Sequence, residues 1–353
     1  MKRLIIILSV LGIVSCSTID EDTILKPQQE RLNINVTSQI KTLYPPAIND
    51  ISSMQVAFQI YEGLVKYNPF DIKIIIPAIA QSWEINEEMT EYIFKLRKDV
   101  YFNNNECFEN SKGRNITAND VKYSFTQLCS QQYTNKNFIS TLSKVKGATE
   151  YYTQSKEGTP TFDIEGLQVI DDYTIKITLT KPSPYFLNSL ALPFASIFPK
   201  EAIEKYGEKT FVGSGPYYLQ KYPEEQPILL LKNIDYYKID DNGDRLPYID
   251  TISIGIEKSV LSDMKDFEDG KLNIIMSIPE AYISEFMEKN ISKFEKNPPE
   301  YTITKYSENS NSVMYNLYNS NIKNFFTNDM NFLDLSLVSF EDPIVIETDT
   351  IQK

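Results

Sequence analysis

Several stretches of the chain alternate apolar and polar positions with the two-residue period of a half-buried β-strand. The clearest is DYTIKITLTK, residues 172–181, in which threonines and lysines separate four apolar side chains: Tyr173, Ile175, Ile177 and Leu179. Similar alternation predicts strands in EYIFKLRKDVYF (91–102), PILLLKN (227–233) and DTISIGIE (250–257).

Other stretches carry the 3.6-residue period of an amphipathic helix. SSMQVAFQIYEGLVKY (52–67) predicts a helix capped by Ser52 or Ser53. Its apolar face consists of Val56, Ile60, Tyr61, Leu64 and Val65. Short helices are predicted in SPYFLNSLA (183–191) and PKEAIEKYG (199–207).

The segment NITANDVKYSFTQLC, residues 115–129, has a clear helix start. Thr117 is the predicted cap, and Asp120 follows three residues later, as in a capping box. The apolar stripe of this helix consists of Val121, Phe125 and Leu128. Together with the hairpin-like strands, these helices predict α+β or mixed α/β lobes.

The composition excludes several functional classes. The chain has 353 residues, 42% of them hydrophobic, which suffices for two or three globular lobes. Its net charge of −13 argues against nucleic-acid binding, which needs a basic surface. The absence of histidine from the sequence excludes a Ser-His-Asp or Cys-His nucleophile and an imidazole metal site. Carboxylate-only and Ser-Lys chemistry remain open.

The N-terminus has the order of features of an exported lipoprotein. A basic start, Lys2 and Arg3, precedes an apolar run over residues 4–14, which is too short to span a bilayer but fits a signal-peptide core. Ser15 and Cys16 follow and resemble the lipobox of bacterial lipoproteins, which implies lipidation of Cys16. We therefore expect a signal peptide over residues 1–15, a polar tether over 16–31, and a lipid-anchored protein of the bacterial cell envelope, facing the periplasm or the exterior. The alternatives are a secretory peptide cut elsewhere near Ser15 and an uncleaved membrane anchor.

Two further cysteines, Cys107 and Cys129, lie in the body of the chain. Outside the cytoplasm they could form a disulfide, or both could stay unpaired. The sequence leaves these two alternatives open.

Two loops look like ligand-binding motifs but lack the residues that such motifs need. In FVGSGPYYLQKY (211–222), Gly213 and Gly215 suggest a phosphate loop, yet Pro216 follows where a Walker motif requires lysine. We interpret this segment as a tight turn into a strand, in which the glycines allow positive φ. In KIDDNGDRLPYI (238–249), Lys238 and Ile249 stand where a calcium loop has its first and last anchors, so we predict a polar turn.

Seven segments in collinear order within residues 43–319 resemble successive signatures of the family 5 extracellular solute-binding proteins, the oligopeptide, dipeptide and nickel receptors of ABC importers. The segments are IYEGLVKYN, IPAIAQSWEIN, YIFKLRKDVYF, ITANDVKYSF, VIDDYTIKITLTKPSPYFLNSLA, VGSGPYYL and NIDYYKIDDNGDRLPYIDTISI. A single segment of this kind would be weak evidence, whereas seven in order identify the chain as a member of the family.

The resemblance implies a mixed α/β, two-lobed fold like that of periplasmic binding proteins, in which the lobes close on a ligand. We expect lobe I over residues 32–45 and 166–258, an inserted subdomain over 46–165, a partial lobe II over 259–327 and a divergent tail over 328–353. The implied function is capture of oligopeptides by a monomer and their delivery to ABC permease subunits, without catalysis, metal or other cofactor. Nickel chelates, haem and sugars are alternative ligands.

The resemblance also places candidate ligand-binding residues at the edge of the cleft. These are Ile51, Ser52, Ser53, Tyr133, Tyr236 and Tyr237. The alternative is a structural role for each of them, with the serines as helix caps and the tyrosines as core or surface aromatics.

The C-terminal end departs from the family pattern, because no helix beginning with Val-Arg follows SVMYNLYNSN, residues 312–321. We expect a truncated receptor that binds peptide poorly. Apolar side chains of the partial lobe II should then pack on absent partners, namely Ile303, Val313, Tyr315 and Leu317. Two other functional classes stay open: a lipid-anchored envelope protein that keeps the fold without transport, and an enzyme that uses paired carboxylates.

Overall fold

The computed structural model describes residues 31–309, 312–323, 325 and 334–340, and Cys16 lies outside these ranges. The strands are β1 Arg31–Val36, β2 Val65–Tyr67, β3 Ile75–Pro77, β4 Ala80–Ile85, β5 Glu91–Leu96, β6 Leu167–Asp171, β7 Thr174–Thr178, β8 Tyr217–Tyr218, β9 Ile228–Lys232, β10 Thr251–Ile256, β11 Ile274–Pro279, β12 Tyr301–Asn309, β13 Ser312–Asn319, β14 Ile322–Lys323 and β15 Ser339–Phe340.

The helices alternate with these strands along the chain. They are α1 Ile51–Ile60, α2 Ala118–Leu128, α3 Phe138–Thr141, α4 Ala148–Gln154, α5 Phe186–Leu190, α6 Lys200–Tyr206, α7 Val260–Glu268, α8 Glu280–Lys289 and α9 Ile291–Phe294. Among the described residues, no helix combines the length and the apolar character needed to cross a bilayer.

The larger sheet has seven strands in the order β12-β13-β11-β1-β10-β9-β8. Its centre is the parallel pair β1 and β10, whose register places Leu32 opposite Ile252 and Ile34 opposite Ile254. All four side chains are buried, as the alternation in DTISIGIE predicts. Strand β11 joins β1 through the single pair Ile34 and Ile274.

The smaller of the two main sheets has four antiparallel strands in the order β4-β5-β7-β6, and β2-β3 and β14-β15 form two-stranded sheets. Its inner strand β7 buries Ile175 and Ile177, which confirms the predicted alternation. Strand β7 pairs with β5 across the predicted boundary between residues 165 and 166. Hydrogen bonds between strands thus join segments that the expected domain division assigns to different units.

Helix α2 forms as the sequence predicts, whereas α1 forms with a different cap and ends earlier than predicted. Thr117 and Asp120 make a reciprocal capping box at the start of α2. Helix α1 is capped by Asp50, whose side chain accepts a hydrogen bond from the Ser53 N–H, so neither Ser52 nor Ser53 is the cap. The helix ends at Ile60, and Val65 instead begins strand β2.

The glycines of the segment 211–222 serve close packing. Neither Gly213 nor Gly215 has positive φ, which corrects our interpretation of the turn. A Cβ on Gly213 would lie 2.2 Å from the Ile60 carbonyl oxygen, and one on Gly215 would lie 2.4 Å from that of Gln59. The segment passes directly against the end of α1 and enters strand β8, as predicted.

One hydrophobic core underlies both sheets, and a smaller cluster lies between α7, α8 and strands β11 to β13. Leu317 is fully buried in the smaller cluster, and Ile303 and Tyr315 pack against it. The expectation that these side chains face absent partners is therefore wrong for Leu317, because α7 and α8 already cover it. The side chain of Val313 lies outside the description.

Candidate functional site

A group of charged and phenolic side chains gathers where α1 ends. The chain leaves α1 at Ile60 and turns at Gly63, where a Cβ would lie 2.8 Å from the Leu190 carbonyl oxygen. This close passage fixes the path from α1 into β2 and places Glu62 and Lys66 on the same side of the molecule.

Glu62 is the centre of the group. Its Oε1 accepts hydrogen bonds from the hydroxyls of Tyr236 at 2.8 Å and Tyr237 at 3.2 Å, and lies 3.4 Å from Lys238 Nζ. Its Oε2 is buried and has no hydrogen-bond partner in the part of the chain that the structure describes. One oxygen of this carboxylate thus has all of its contacts with these three side chains, while the other has no donor within the described ranges.

Lys66 pairs with a residue 268 positions further along the chain. Its Nζ lies 2.5 Å from Asp334 Oδ2, and the side chains of Lys66, Asp334 and Lys238 are 24%, 19% and 20% exposed. Asp334 precedes the short helical turn Leu335–Leu337, and the Leu335 N–H donates to Gln59 Oε1 in α1. The C-terminal segment 334–340 therefore completes the group from a distant part of the sequence.

Three of these charged groups, Lys66, Lys238 and Asp334, have shifted pKa values. Burial acts to lower the pKa of Lys66, but the Asp334 carboxylate outweighs it and holds that pKa above its ordinary value. Burial and the neighbouring charge of Lys66 lower the pKa of Lys238 to about 8. Burial would raise the pKa of Asp334, yet the two ammonium groups hold it well below its usual range. Both shifts favour the ionised forms of Lys66 and Asp334.

A largely apolar pocket of about 700 Å³, partly open to solvent, lies beside these charges. Glu62, Lys66 and Asp334 line it together with apolar and aromatic residues, among them Tyr67, Pro69, Leu192, Pro193 and Pro216. An apolar wall with a few charged groups is the usual character of a small-molecule pocket.

A second, polar groove of about 1050 Å³ lies on the other side of the tyrosine pair. Tyr236 lines the apolar pocket and Tyr237 lines the polar groove, with their ring centroids 5.0 Å apart. The Arg97 guanidinium stacks 4.7 Å from the Tyr237 ring centroid. This groove also has both signs of charge on its walls, from Asp99, Lys112, Asp235 and Arg245.

The other predicted site residues lie apart from this group. The Ser52 and Ser53 hydroxyls are buried, where Ser52 Oγ accepts from the Ser38 N–H and Ser53 Oγ accepts from the Lys41 N–H. Ile51 is exposed at the start of α1. Tyr133 is 38% exposed and sets its ring edge-to-face against Tyr44. Of the six predicted site residues, only Tyr236 and Tyr237 belong to the group around Glu62.

Sequence reasoning missed Glu62, Lys66, Lys238 and Asp334. Glu62 and Lys66 stand in IYEGLVKYN, one of the seven segments with family resemblance, so that motif was the available signal. In the sequence, Lys238 was noted only because a lysine at the first position of segment 238–249 argues against a calcium-binding loop. No local pattern marks Asp334.

The remaining sequence features have structural roles. In the loop 238–249, the Asp240 carboxylate accepts hydrogen bonds from the backbone N–H groups of Asn242 and Asp244 and from the Tyr248 hydroxyl. The described residues contain no group of three or more potential metal ligands. Cys107 and Cys129 are both free thiols, which settles the open alternative in favour of unpaired residues.

Comparison with known proteins identifies the family. The model of "Bacterial extracellular solute-binding proteins, family 5 Middle" matches residues 75–331. A dipeptide-binding protein of Escherichia coli is 32% identical over 205 residues, covering 56% of this chain and 35% of its own length. The periplasmic oligopeptide-binding protein OppA of Salmonella typhimurium is 26% identical over 288 residues, covering 78% and 48%.

Solved structures show the same fold. OppA of Burkholderia pseudomallei superposes with a TM-score of 0.63 at 22% identity, covering 80% of this chain and 53% of its own. DppA of Helicobacter pylori, in complex with the peptide STSA, superposes with a TM-score of 0.60 at 23% identity, covering 79% and 51%. The chain spans about half the length of these structures and less than half of the two curated relatives. With the family model matching well over half of its residues, the chain belongs to the bacterial extracellular solute-binding proteins of family 5.

Proposed function

We propose that this chain is the peptide-capturing component of an ABC importer, which delivers its ligand to permease subunits and works without catalysis. The observation that carries the proposal is the apolar pocket at the end of α1, with its charged group of Glu62, Lys66, Lys238 and Asp334. Family membership supports a solute-binding role, and the curated relatives are named for dipeptide and oligopeptide binding.

The chemistry of the two cavities favours peptides over the other ligand classes. A peptide offers ionised ends, backbone donors and acceptors, and varied side chains. The polar groove has charged and amide groups for a backbone, and the apolar pocket has room for a side chain. Haem and sugars lack this combination of ionised ends and backbone amides.

The proposed receptor is a monomer held at the bacterial cell envelope by a lipid on Cys16. The order of basic residues, apolar run, small residue and cysteine supports this placement. Several acyl chains are needed for stable anchoring, since one chain binds a membrane only marginally.

Binding is tested by calorimetry with a pool of mixed tri- to pentapeptides. The proteins are residues 17–353 and a chimera in which the second lobe of the Salmonella typhimurium relative follows residue 340. A ligand drives closure only if it contacts both lobes, so we expect micromolar binding by the chimera and binding at least about tenfold weaker by residues 17–353.

Three outcomes separate the possibilities. Micromolar binding by residues 17–353 would support the proposed peptide receptor but contradict the expectation that this chain binds peptide weakly. Binding of haem, a nickel chelate or a sugar by the chimera, without any peptide binding, would overturn the proposed ligand. Absence of binding to every ligand class would favour an envelope protein that keeps the fold without transport.

A further inference from the structure

The contact between Lys66 and Asp334 is unusual because a distant, terminal segment supplies a carboxylate to a lysine in the wall of a pocket. The two side chains are 24% and 19% exposed, so the pair is partly open toward that space. Lys66 lies in β2, where the backbone is fixed by pairing of Lys66 with Ile76 in β3. The backbone at Lys66 is therefore held in place independently of Asp334.

The surrounding charges show that the Lys66 ammonium group requires a negatively charged partner. Glu62 and Lys238 lie in contact, which leaves Lys66 to depend on Asp334 for its main counter-charge. A largely buried ammonium without a partner is strongly unfavourable, and the second ammonium at Lys238 increases the cost. If the Asp334 side chain moves away, a carboxylate from a ligand can form the same ion pair with Lys66.

The surroundings of Lys66 define the group that would accompany such a carboxylate. Tyr67, Pro69, Leu192 and Pro193 give the pocket an apolar wall. A leucine-like C-terminal residue supplies both matching groups: a carboxylate for Lys66 and an apolar side chain for this wall.

We propose that Lys66 is a subsite for the C-terminal carboxylate of a ligand with an apolar last residue, and that Asp334 is a tethered occupant of this subsite. Its identification as a peptide subsite rests on the proposed function. The carboxylate specificity of Lys66 stands on the geometry of the pocket alone. Ligand and Asp334 compete for the same ammonium group.

The test uses N-acetylleucine and N-acetylleucinamide, which differ only in the carboxylate, and measures binding by calorimetry and by ligand-induced thermal shift. Residues 17–353 are compared as wild type, Asp334→Asn, and the double variant Lys66→Met with Asp334→Asn, which leaves no unpaired charge. Glu224→Gln is the control, since Glu224 pairs with Lys209 in an exposed ion pair elsewhere.

We expect Asp334→Asn to bind N-acetylleucine about tenfold more tightly than wild type, because the competitor is gone and Lys66 is free to bind it. N-acetylleucinamide should bind weakly and equally to both. The double variant should lose the preference for the acid, and Glu224→Gln should behave as wild type.

Equal affinity of Asp334→Asn for the acid and the amide would overturn the subsite, as would an acid preference that survives Lys66→Met. These results do not depend on peptide binding. If the acid preference follows Lys66 but the peptide pool does not bind to the chimera, the carboxylate subsite stands and the proposed peptide function fails.

Discussion

The carboxyl group of Asp263 is buried in the first turns of α7, with 3% of the residue exposed. Its Oδ1 accepts a hydrogen bond from Asn35 Nδ2 at 2.9 Å, which ties α7 to the central strand β1. A Cβ on Gly255 in the neighbouring strand β10 would lie 2.3 Å from Asn35 Oδ1. The absence of a side chain at Gly255 therefore makes room for the amide that reaches Asp263.

Asp263 should reduce stability at neutral pH. Burial, the largest effect, together with the nearby charges of Glu257 and Asp266, raises its pKa to about 6, whereas the Asn35 hydrogen bond acts in the opposite direction. Because the folded pKa exceeds the unfolded value, the folded state binds more protons between about pH 4 and 6, and stability falls as pH rises through this window. We expect Asp263→Asn, which keeps the acceptor for Asn35, to stabilise the fold by about 1–2 kcal/mol at pH 7 and by little at pH 4.

Urea unfolding at pH 4, 5.5 and 7 measures this difference, with Asp241→Asn in an exposed loop as the control. A variant that is less stable than wild type at pH 7 would show that the ionised carboxylate is stabilising there, contrary to the expectation.

The contact between α1 and the segment before β8 belongs to the scale of elements. The Gly215 N–H donates to the Ile60 carbonyl oxygen at 3.0 Å, and the Asn103 N–H donates to the Gly213 carbonyl oxygen at 2.8 Å. Asn233 Nδ2 donates to the Gly215 carbonyl oxygen, which links this segment to the loop that carries Tyr236. The glycines thus let three elements meet beside the pocket.

Gly215→Ala should weaken this junction strongly. The new Cβ would meet the backbone of Gln59 and Ile60 at 2.4 and 2.6 Å, and backbone atoms of a helix end do not move easily. We expect a loss of about 2–4 kcal/mol in the free energy of unfolding, measured with urea.

Ser214→Ala is the matched control in the same segment. The Ser214 hydroxyl is buried and lacks a hydrogen-bond partner within the described ranges, so its removal should change stability by less than about 0.5 kcal/mol. If Gly215→Ala were as mild as Ser214→Ala, the segment would not be packed tightly against α1.

At the scale of the whole molecule, the C-terminal segment 334–340 is part of the main core. Leu335 and Val338 are buried in the cluster that underlies both sheets, and the Leu335 carbonyl oxygen accepts a hydrogen bond from the Tyr217 hydroxyl. Strand β15 pairs with β14. The segment therefore stabilises the site from a distant part of the chain, and its Asp334 forms the ion pair with Lys66.

The proposed membrane attachment is also tested on the whole molecule. We expect wild type and the control Cys107→Ser to partition with membranes and to incorporate radiolabelled palmitate in a bacterial host. Cys16→Ser should give a soluble or unprocessed product without label, because it removes the residue that we propose is acylated. Equal membrane retention of all three proteins, without label, would instead indicate an uncleaved apolar anchor.

Local sequence pattern was sufficient for the elements that local forces specify. The alternation around Ile175 and Ile177 predicted β7, and the capping box of Thr117 and Asp120 predicted the start of α2. The seven segments predicted the family. Each of these signals lies within a short window, where side-chain period or turn chemistry determines the backbone.

Only the tertiary structure decided how these elements combine. Lys66 and Asp334 are 268 residues apart, and nothing near either residue encodes their pairing. The same holds for β5 and β7, whose hydrogen bonds cross a boundary that the family resemblance and the strand pattern favoured. The sequence indicated that glycine is required at Gly213 and Gly215. Only the fold shows why: both residues lie against the backbone at the end of α1. The physical cause is common to all three: periodicity records which face of an element is buried, whereas the partner that buries it depends on the path of the entire chain.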